Sequence, residues 1–334
     1  MIYPWLQTQW QQLVQTQRMG GLAHAYLFSG PAGIGKEDFA QASARFLLCQ
    51  QNEAIEYPGC GHCPSCQLFD AKTHPDILIV EPIGASQTIQ VDQIRSLIEY
   101  LSLKPHQAAR KIAIIKAADR MNANAANSLL KSLEEPPPAS MLILSTCHGS
   151  RLLPTIKSRC QQITFSVPDA DISRPWLAAR LEKEAQAELF LQLAQGAPLR
   201  AVELADVETM SQRTMIYDDL QALLAKKADV LAVVKRWTKL DTQIPLAWMR
   251  SFVFDMARLK VAEYPPAVNN PDFAQAFRQL CASMSLQSLL SYLAQVQNAS
   301  RFAQGNMNRE LLFEELLFNW VDLGRNKKHL VNTQ

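Results

Sequence analysis

The sequence has almost no imbalance of charge. Its 334 residues carry 33 lysines and arginines against 31 aspartates and glutamates, a formal net charge of +2. A protein that binds nucleic acid by itself is usually far more basic, so any DNA contact must come from a local patch or a partner. Long apolar runs are also missing, and none reaches the roughly 20 residues of a membrane span. The opening stretch MIYPWLQTQWQQLV has no cationic segment followed by an apolar one. That argues against export and for the cytoplasm. There is no repeat and no low-complexity segment. What is left is ordinary globular composition, 48% hydrophobic and 19% charged, in a chain long enough for two or three domains. Four of its seven cysteines crowd between residues 49 and 66. In a reducing compartment such clustering points to a metal rather than to disulfides.

A further lack is more specific. GPAGIGKED, residues 30–38, supplies Gly30, Gly33, Gly35 and Lys36 of a phosphate-binding loop, but Glu37 stands where a serine or threonine belongs. That hydroxyl normally holds the Mg²⁺ bridging the β- and γ-phosphates. A second metal-handling group is expected after a later strand, KIAIIK, where an Asp-Glu pair would sit. Lys116 and Ala117 occupy those places, and Asp119 lies too far along the chain to substitute. Two such losses are hard to reconcile with hydrolysis, because the metal neutralises charge developing on the phosphoryl group. The loop reads as a relic, with ATP binding weak or absent.

The loop nevertheless has its proper setting. An amphipathic helix over about residues 5–18 precedes the apolar strand AYLFSG, and a helix follows from Lys36 to Cys49. Further apolar strands are DILIVE, KIAIIK, MLILST and the shorter QQITF, with helices expected from Val91 to about Ser102 and from Ala123 to Glu135. Strands alternating with helices imply a parallel sheet covered on both faces. From about Val167 onward the pattern is helical only. The last helix begins near Asn308, with Leu312, Leu316, Trp320 and Leu323 on one stripe opposite Glu315, Asn319 and Asp322. The expected division is 1–166, 167–207 and 208–334: an α/β domain carrying the cysteine insert, a small helical lid and an all-α domain.

Cys60, Cys63 and Cys66 form two C-x-x-C steps sharing Cys63, and Cys49 supplies a fourth thiol upstream. Four thiolates suit a closed, tetrahedral, structural Zn²⁺ site, with His62 or His74 as alternatives to Cys49. NANAANSLLKSLEEPPP reads as an amphipathic helix with Leu129, Leu130 and Leu133 inward and Pro136 to Pro138 ending it. That reading leaves Glu134 and Glu135 unexplained at the end where the helix dipole disfavours them. In LLPTIKSRC, Arg159 falls between a short helical turn and the last strand, and by itself reads as a solvated surface arginine.

Taken together, HAYLFSGPAGIGK, the four cysteines, AANSLLKSLEEPP and LLPTIKSRC resemble bacterial sliding-clamp loader subunits of the AAA+ class, components of DNA polymerase III. The likeness covers most of residues 1–165. NRELLFEELL is similar to the family's last helix. The resemblance implies an ATPase-like α/β domain, a lid and a helical collar joining five subunits in a ring. It implies partners too: gamma- or tau-like motor subunits, a delta-like subunit, the sliding clamp and primed DNA. Because the motor subunits keep the hydroxyl and the Asp-Glu pair, the degenerate loop points to a subunit that does not turn over ATP itself. It would then work as a non-catalytic part of a DNA-directed DNA polymerase. The alternatives are a motor subunit, favoured by Lys36 but opposed by Glu37 and Lys116, and a lone zinc-dependent DNA-binding protein, opposed by the weak charge. By the same resemblance Arg159 becomes an arginine finger acting in trans, and Arg200 matches a lid arginine that senses nucleotide.

Overall fold

The computed structural model describes residues 2–51, 57–84, 87–262, 268–303 and 308–325. Contacts divide the chain into two compact units, Met1–Trp176 with Ala197–Arg200, and Leu177–Gly196 with Ala201–Gln334.

The first unit is built on five strands, β1 (Ala25–Ser29), β2 (Ile77–Val80), β3 (Lys111–Ile115), β4 (Ser140–Thr146) and β5 (Gln161–Thr164). They pair entirely in parallel in the order β2-β3-β4-β1-β5. β3, β4 and β1 are central and read as near-continuous apolar runs, as strands covered on both faces must. All five strands stand where the sequence put them, QQITF included. Side chains alternate across a strand, so the two faces separate by parity. Ala25, Leu27, Ala113, Ile115, Leu142 and Leu144 pack against α4 (Val91–Ser102) and α5 (Ala123–Glu134), meeting Ile94, Leu97, Leu129 and Leu133. On the opposite face Phe28 contacts Phe39 and Phe165, and Trp10 contacts Phe39 and Phe46. These rings bring α1 (Gln7–Arg18) and α2 (Lys36–Leu48) onto the sheet. α5 starts at Asn122, whose side chain accepts from the Ala125 amide and satisfies one of the orphan donors of the first turn. The remaining helices of this unit are short: α3 (Pro64–Asp70), α6 (Pro154–Lys157) and most of α7 (Ala170–Ala178).

One buried charge cluster ties this unit together. Asp76, fully buried ahead of β2, accepts from the amides of His106, Gln107 and Ala108 at 2.7–2.9 Å and lies 3.5 Å from Lys111 Nζ. Burial alone would raise the Asp76 carboxyl, but those three amides and Lys111 outweigh it and hold it below its ordinary value.

In the second unit the described residues form helices and no strand: α8 (Ala187–Leu193), most of α9 (Pro198–Leu204), then α10 (Val207–Leu224), α11 (Val230–Trp237), α12 (Gln243–Val261), α13 (Ala274–Leu280), α14 (Leu286–Phe302) and α15 (Arg309–Arg325). Residues 326–334 of the expected collar lie outside the described residues. α15 buries Leu312, Leu316, Trp320 and Leu323 as expected, and Phe313 and Leu317 as well. Its buried face is wider than one stripe because α10, α11 and α14 all pack against it. The polar tips of the aromatics at this packing are satisfied: Trp320 Nε1 of α15 donates to the Leu220 carbonyl (3.0 Å) and Tyr292 Oη of α14 to that of Leu316 (2.9 Å). Among the described residues, no helix is long and apolar enough to cross a membrane.

Candidate functional site

β1 delivers the chain to Gly30, and α2 begins at Lys36 on a left-handed Gly35 (φ 89°). This is the strand-loop-helix geometry of a phosphate loop, but the chain itself covers it. A Cβ at Gly35 would come within 2.6 Å of the Tyr3 ring, and one at Gly33 within 2.7 Å of the Arg200 Cβ. Both glycines let the protein's own side chains and backbone approach closely. Tyr3 stacks on Trp5, Trp176 meets both edge-on, and Trp5 Nε1 donates to the Ile34 carbonyl at 3.0 Å. The Leu199 amide donates to the Gly33 carbonyl at 2.9 Å, while the Arg200 side chain is exposed.

Lys36 is 4% exposed, and its ammonium is turned down onto the loop's own Pro31 carbonyl (2.5 Å) and towards Cys147 Sγ (3.5 Å). Glu37 and Asp38 fill the first turn of α2, and Asp38 accepts from Tyr3 Oη at 2.8 Å. A helix N-terminus attracts negative charge, and here the chain's own Glu37 and Asp38 stand in that first turn.

At the end of β3, Lys116 pairs with Glu81 (3.2 Å) and Ala117 takes a left-handed conformation (φ 48°). Asp119, set aside on linear spacing, is carried to the same end of the sheet because β3 and β4 are neighbours. Its buried carboxylate accepts from Thr146 Oγ1 at 2.6 Å and faces His148 Nδ1 at 3.2 Å. It therefore joins the ends of two strands.

The cysteines converge. Cys49 closes α2, Cys63 caps α3 and Cys66 lies in its first turn. With Cys60 their sulfurs all lie within 4.8 Å of one another, and Cys49 and Cys63 are 4.0 Å apart. Ligands 2.3 Å from a tetrahedral zinc stand roughly 3.8 Å apart, so the spacing fits a metal ion. Four backbone amides point at these sulfurs at 3.4 Å: Gln51 and Cys60 to Cys49, Cys63 to Cys60, and Cys66 to Cys63. Such donors favour thiolates. Burial acts the other way and pushes Cys66 up to about 12. The histidines are engaged elsewhere. His74 Nδ1 accepts from the Asp76 amide, so Nε2 carries the proton and donates to Ser65 Oγ (2.8 Å), which donates to the Leu48 carbonyl. His62 is exposed, with Nδ1 3.0 Å from the Cys60 carbonyl.

Sequence reasoning missed Arg45 altogether. From α2 it makes a two-pronged pair with Asp70 (2.7 and 2.8 Å) and also donates to the Pro58 carbonyl, linking helix, loop and α3. Its only sequence signal was its place one turn before Cys49.

Arg159 sits between α6 and β5 with its side chain about one-third exposed. Nη1 donates to the Thr155 carbonyl (3.1 Å) and to Ser158 Oγ (3.4 Å), and Nη2 to Glu134 Oε1 (2.6 Å). The arginine and the unexplained glutamate therefore form one pair.

A family model described as "DNA polymerase III, delta subunit" matches residues 5–169, and one described as "DNA polymerase III, delta subunit, C terminal" matches residues 208–322. A Pseudomonas aeruginosa protein named DNA polymerase III subunit delta' is 36% identical over 330 residues, 96% of this chain and 98% of that one. The chain belongs to the delta-prime subunit family of DNA polymerase III. The Escherichia coli delta-prime subunit is 30% identical over 319 residues, 94% of each chain. A Salmonella typhimurium protein named DNA polymerase III subunit tau is 28% identical over 300 residues, covering 82% of this chain and 46% of that one. The delta-prime family thus accounts for nearly the whole chain, while the likeness to tau stops within half of the longer protein.

Proposed function

We propose that this chain is a non-hydrolysing subunit of the clamp loader that helps place the sliding clamp on primed DNA. It would act in the cytoplasm, in a ring of five with gamma- or tau-like motor subunits and a delta-like subunit. Residues 1–166 would form the AAA+ domain, 167–207 the lid and 208–334 the collar. The observation that carries this reading is Lys36, buried against the Pro31 carbonyl and Cys147. A lysine held in this way must break both contacts before it can reach a phosphate. Glu37, Lys116 and Ala117 occupy the places where metal-handling groups belong, which supports the same conclusion. In this reading the glycine loop and Arg200 serve packing rather than nucleotide binding.

Cys49, Cys60, Cys63 and Cys66 would hold one structural Zn²⁺. Zinc is the choice because four sulfurs with no open position suit a tetrahedral d¹⁰ ion without redox chemistry.

Arg159 would serve the neighbouring motor subunit. A permanently charged, planar guanidinium can stabilise charge developing on a γ-phosphate, and such groups contribute roughly 10³–10⁵ in rate. The test is an assembled loader carrying Arg159→Ala. Assembly and zinc content should be unchanged, because a surface ion pair contributes only about 0–1 kcal/mol to stability. ATP hydrolysis stimulated by clamp and DNA should slow, by less than the full factor because only one of several sites faces this subunit. Arg159→Lys should recover little, since an ammonium keeps the charge and loses the fork. Normal assembly with wild-type clamp loading in Arg159→Ala would return the residue to a solvated surface arginine.

A further inference from the structure

Glu134 occupies the last turn of α5, the negative end of the helix dipole, where a carboxylate is disfavoured. Core packing does not require it: Leu129 and Leu133 carry the buried face, and the Glu134 side chain is half exposed. Its Oε1 accepts at 2.6 Å from Arg159 Nη2, across 25 residues of sequence. Resting on the reading of Arg159 as a trans-acting finger, we propose that Glu134 is the positioning residue of that finger. It holds one part of the guanidinium so that the rest is presented outward to the neighbouring subunit's γ-phosphate.

The geometry supports this in two ways. Three acceptors hold the two terminal nitrogens: the neighbouring Thr155 carbonyl and Ser158 Oγ share Nη1, and Glu134 alone fixes Nη2. An exposed arginine on a flexible stem would otherwise sample many rotamers, and a charge stabiliser works best when it is in place before reaction. Those bonds also leave two of the five N–H groups, Nε–H and the second on Nη2, without a partner among the described residues. A held guanidinium with spare donors is suited to a phosphate oxygen. Because the carboxylate is half exposed, solvent screens its charge. The geometric gain is therefore set against only a modest weakening of the guanidinium's field.

The opposite role would be a mask that competes with phosphate, and it carries the opposite sign. The experiment uses the assembled loader with the other motor sites silenced, and compares Glu134→Ala, Glu134→Gln, Arg159→Ala and the double variant. Stimulated turnover should fall roughly tenfold in Glu134→Ala, less than in Arg159→Ala, because misplacement weakens a contact without deleting it. Glu134→Gln keeps an acceptor and should recover part of the loss. Affinity for ADP with aluminium fluoride, a mimic of the reacting phosphoryl group, should fall by the same factor as turnover, with ADP affinity unchanged. The double variant should match Arg159→Ala, since a positioning residue has nothing left to position.

Unchanged or faster turnover in Glu134→Ala, with Arg159→Ala slow, overturns the positioning role and leaves the finger standing. Losses that add in the double variant overturn it too, by placing the action of Glu134 elsewhere. Full turnover in Arg159→Ala overturns both readings together.

Discussion

Stripping the metal from the cysteine cluster should unfold the insert and spare the sheet. α3 has seven residues, too few to be helical by itself, since isolated helices below about 12–15 residues are marginal in water. Without a bound ion, the insert is held by the Arg45–Asp70 pair, with Asp70 half exposed, by the Arg45 bond to the Pro58 carbonyl, and by the Ser65 links to Leu48 and His74. Such a screened pair contributes about 0–1 kcal/mol and each of the three hydrogen bonds about 1 kcal/mol, roughly 3–4 kcal/mol in all. Structural zinc in small peptides contributes on the order of 10–16 kcal/mol at neutral pH, several times more.

The assay is hydrogen exchange on protein with and without a chelator, alongside metal analysis. One zinc per chain is expected. On its removal, protection should vanish over residues 57–73 while β1, β3 and β4 stay protected, because their core shares no residue with the cysteine cluster. Cys66→Ser should reproduce the effect without chelator. Persistent protection of residues 57–73 in metal-free protein would refute the reasoning and assign the insert's order to packing. A protein purified with no metal would refute the zinc assignment itself.

Other outcomes follow from the same structure. Lys36→Ala in the assembled loader should leave clamp loading nearly unchanged, and the isolated chain should turn over no ATP above background. Turnover by highly purified protein that disappears in Lys36→Ala would contradict the proposed role. Asp76→Asn should cost about 2–4 kcal/mol by urea denaturation, because it removes a buried charge that accepts three amides beside Lys111. The Asp76 pKa is lower folded than unfolded, so its contribution is complete above the ordinary carboxylate value near 3.8. It is lost as pH falls through the depressed folded value. The gap between wild type and Asp76→Asn should therefore narrow only in acid, and a gap unchanged from pH 7 to pH 3 would count against this account.

The sequence by itself determined the elements and singled out the candidate site residues. Short continuous apolar runs and a glycine loop between a strand and a helix placed β1 to β5 and α2, because runs of apolar residues and backbone freedom are local properties. The four cysteines were legible by spacing, since a tetrahedral site demands four sulfurs within short reach. Glu37, Lys116 and Ala117 were legible as departures from the residue pattern of a metal-handling phosphate site.

Only the tertiary structure decided what those residues touch. Strand order brought Asp119 beside Thr146, turning an acid that linear distance had dismissed into a tie between β3 and β4. Folding laid Tyr3 over Gly35 and turned Lys36 onto Pro31, contacts that depend on which surfaces the sheet brings together. The meeting of Glu134 with Arg159 is of the same kind. Each looked anomalous or bland in its own segment, because a sequence records local preference, whereas the partner of an exposed charge is chosen by the packing of elements far apart in the chain.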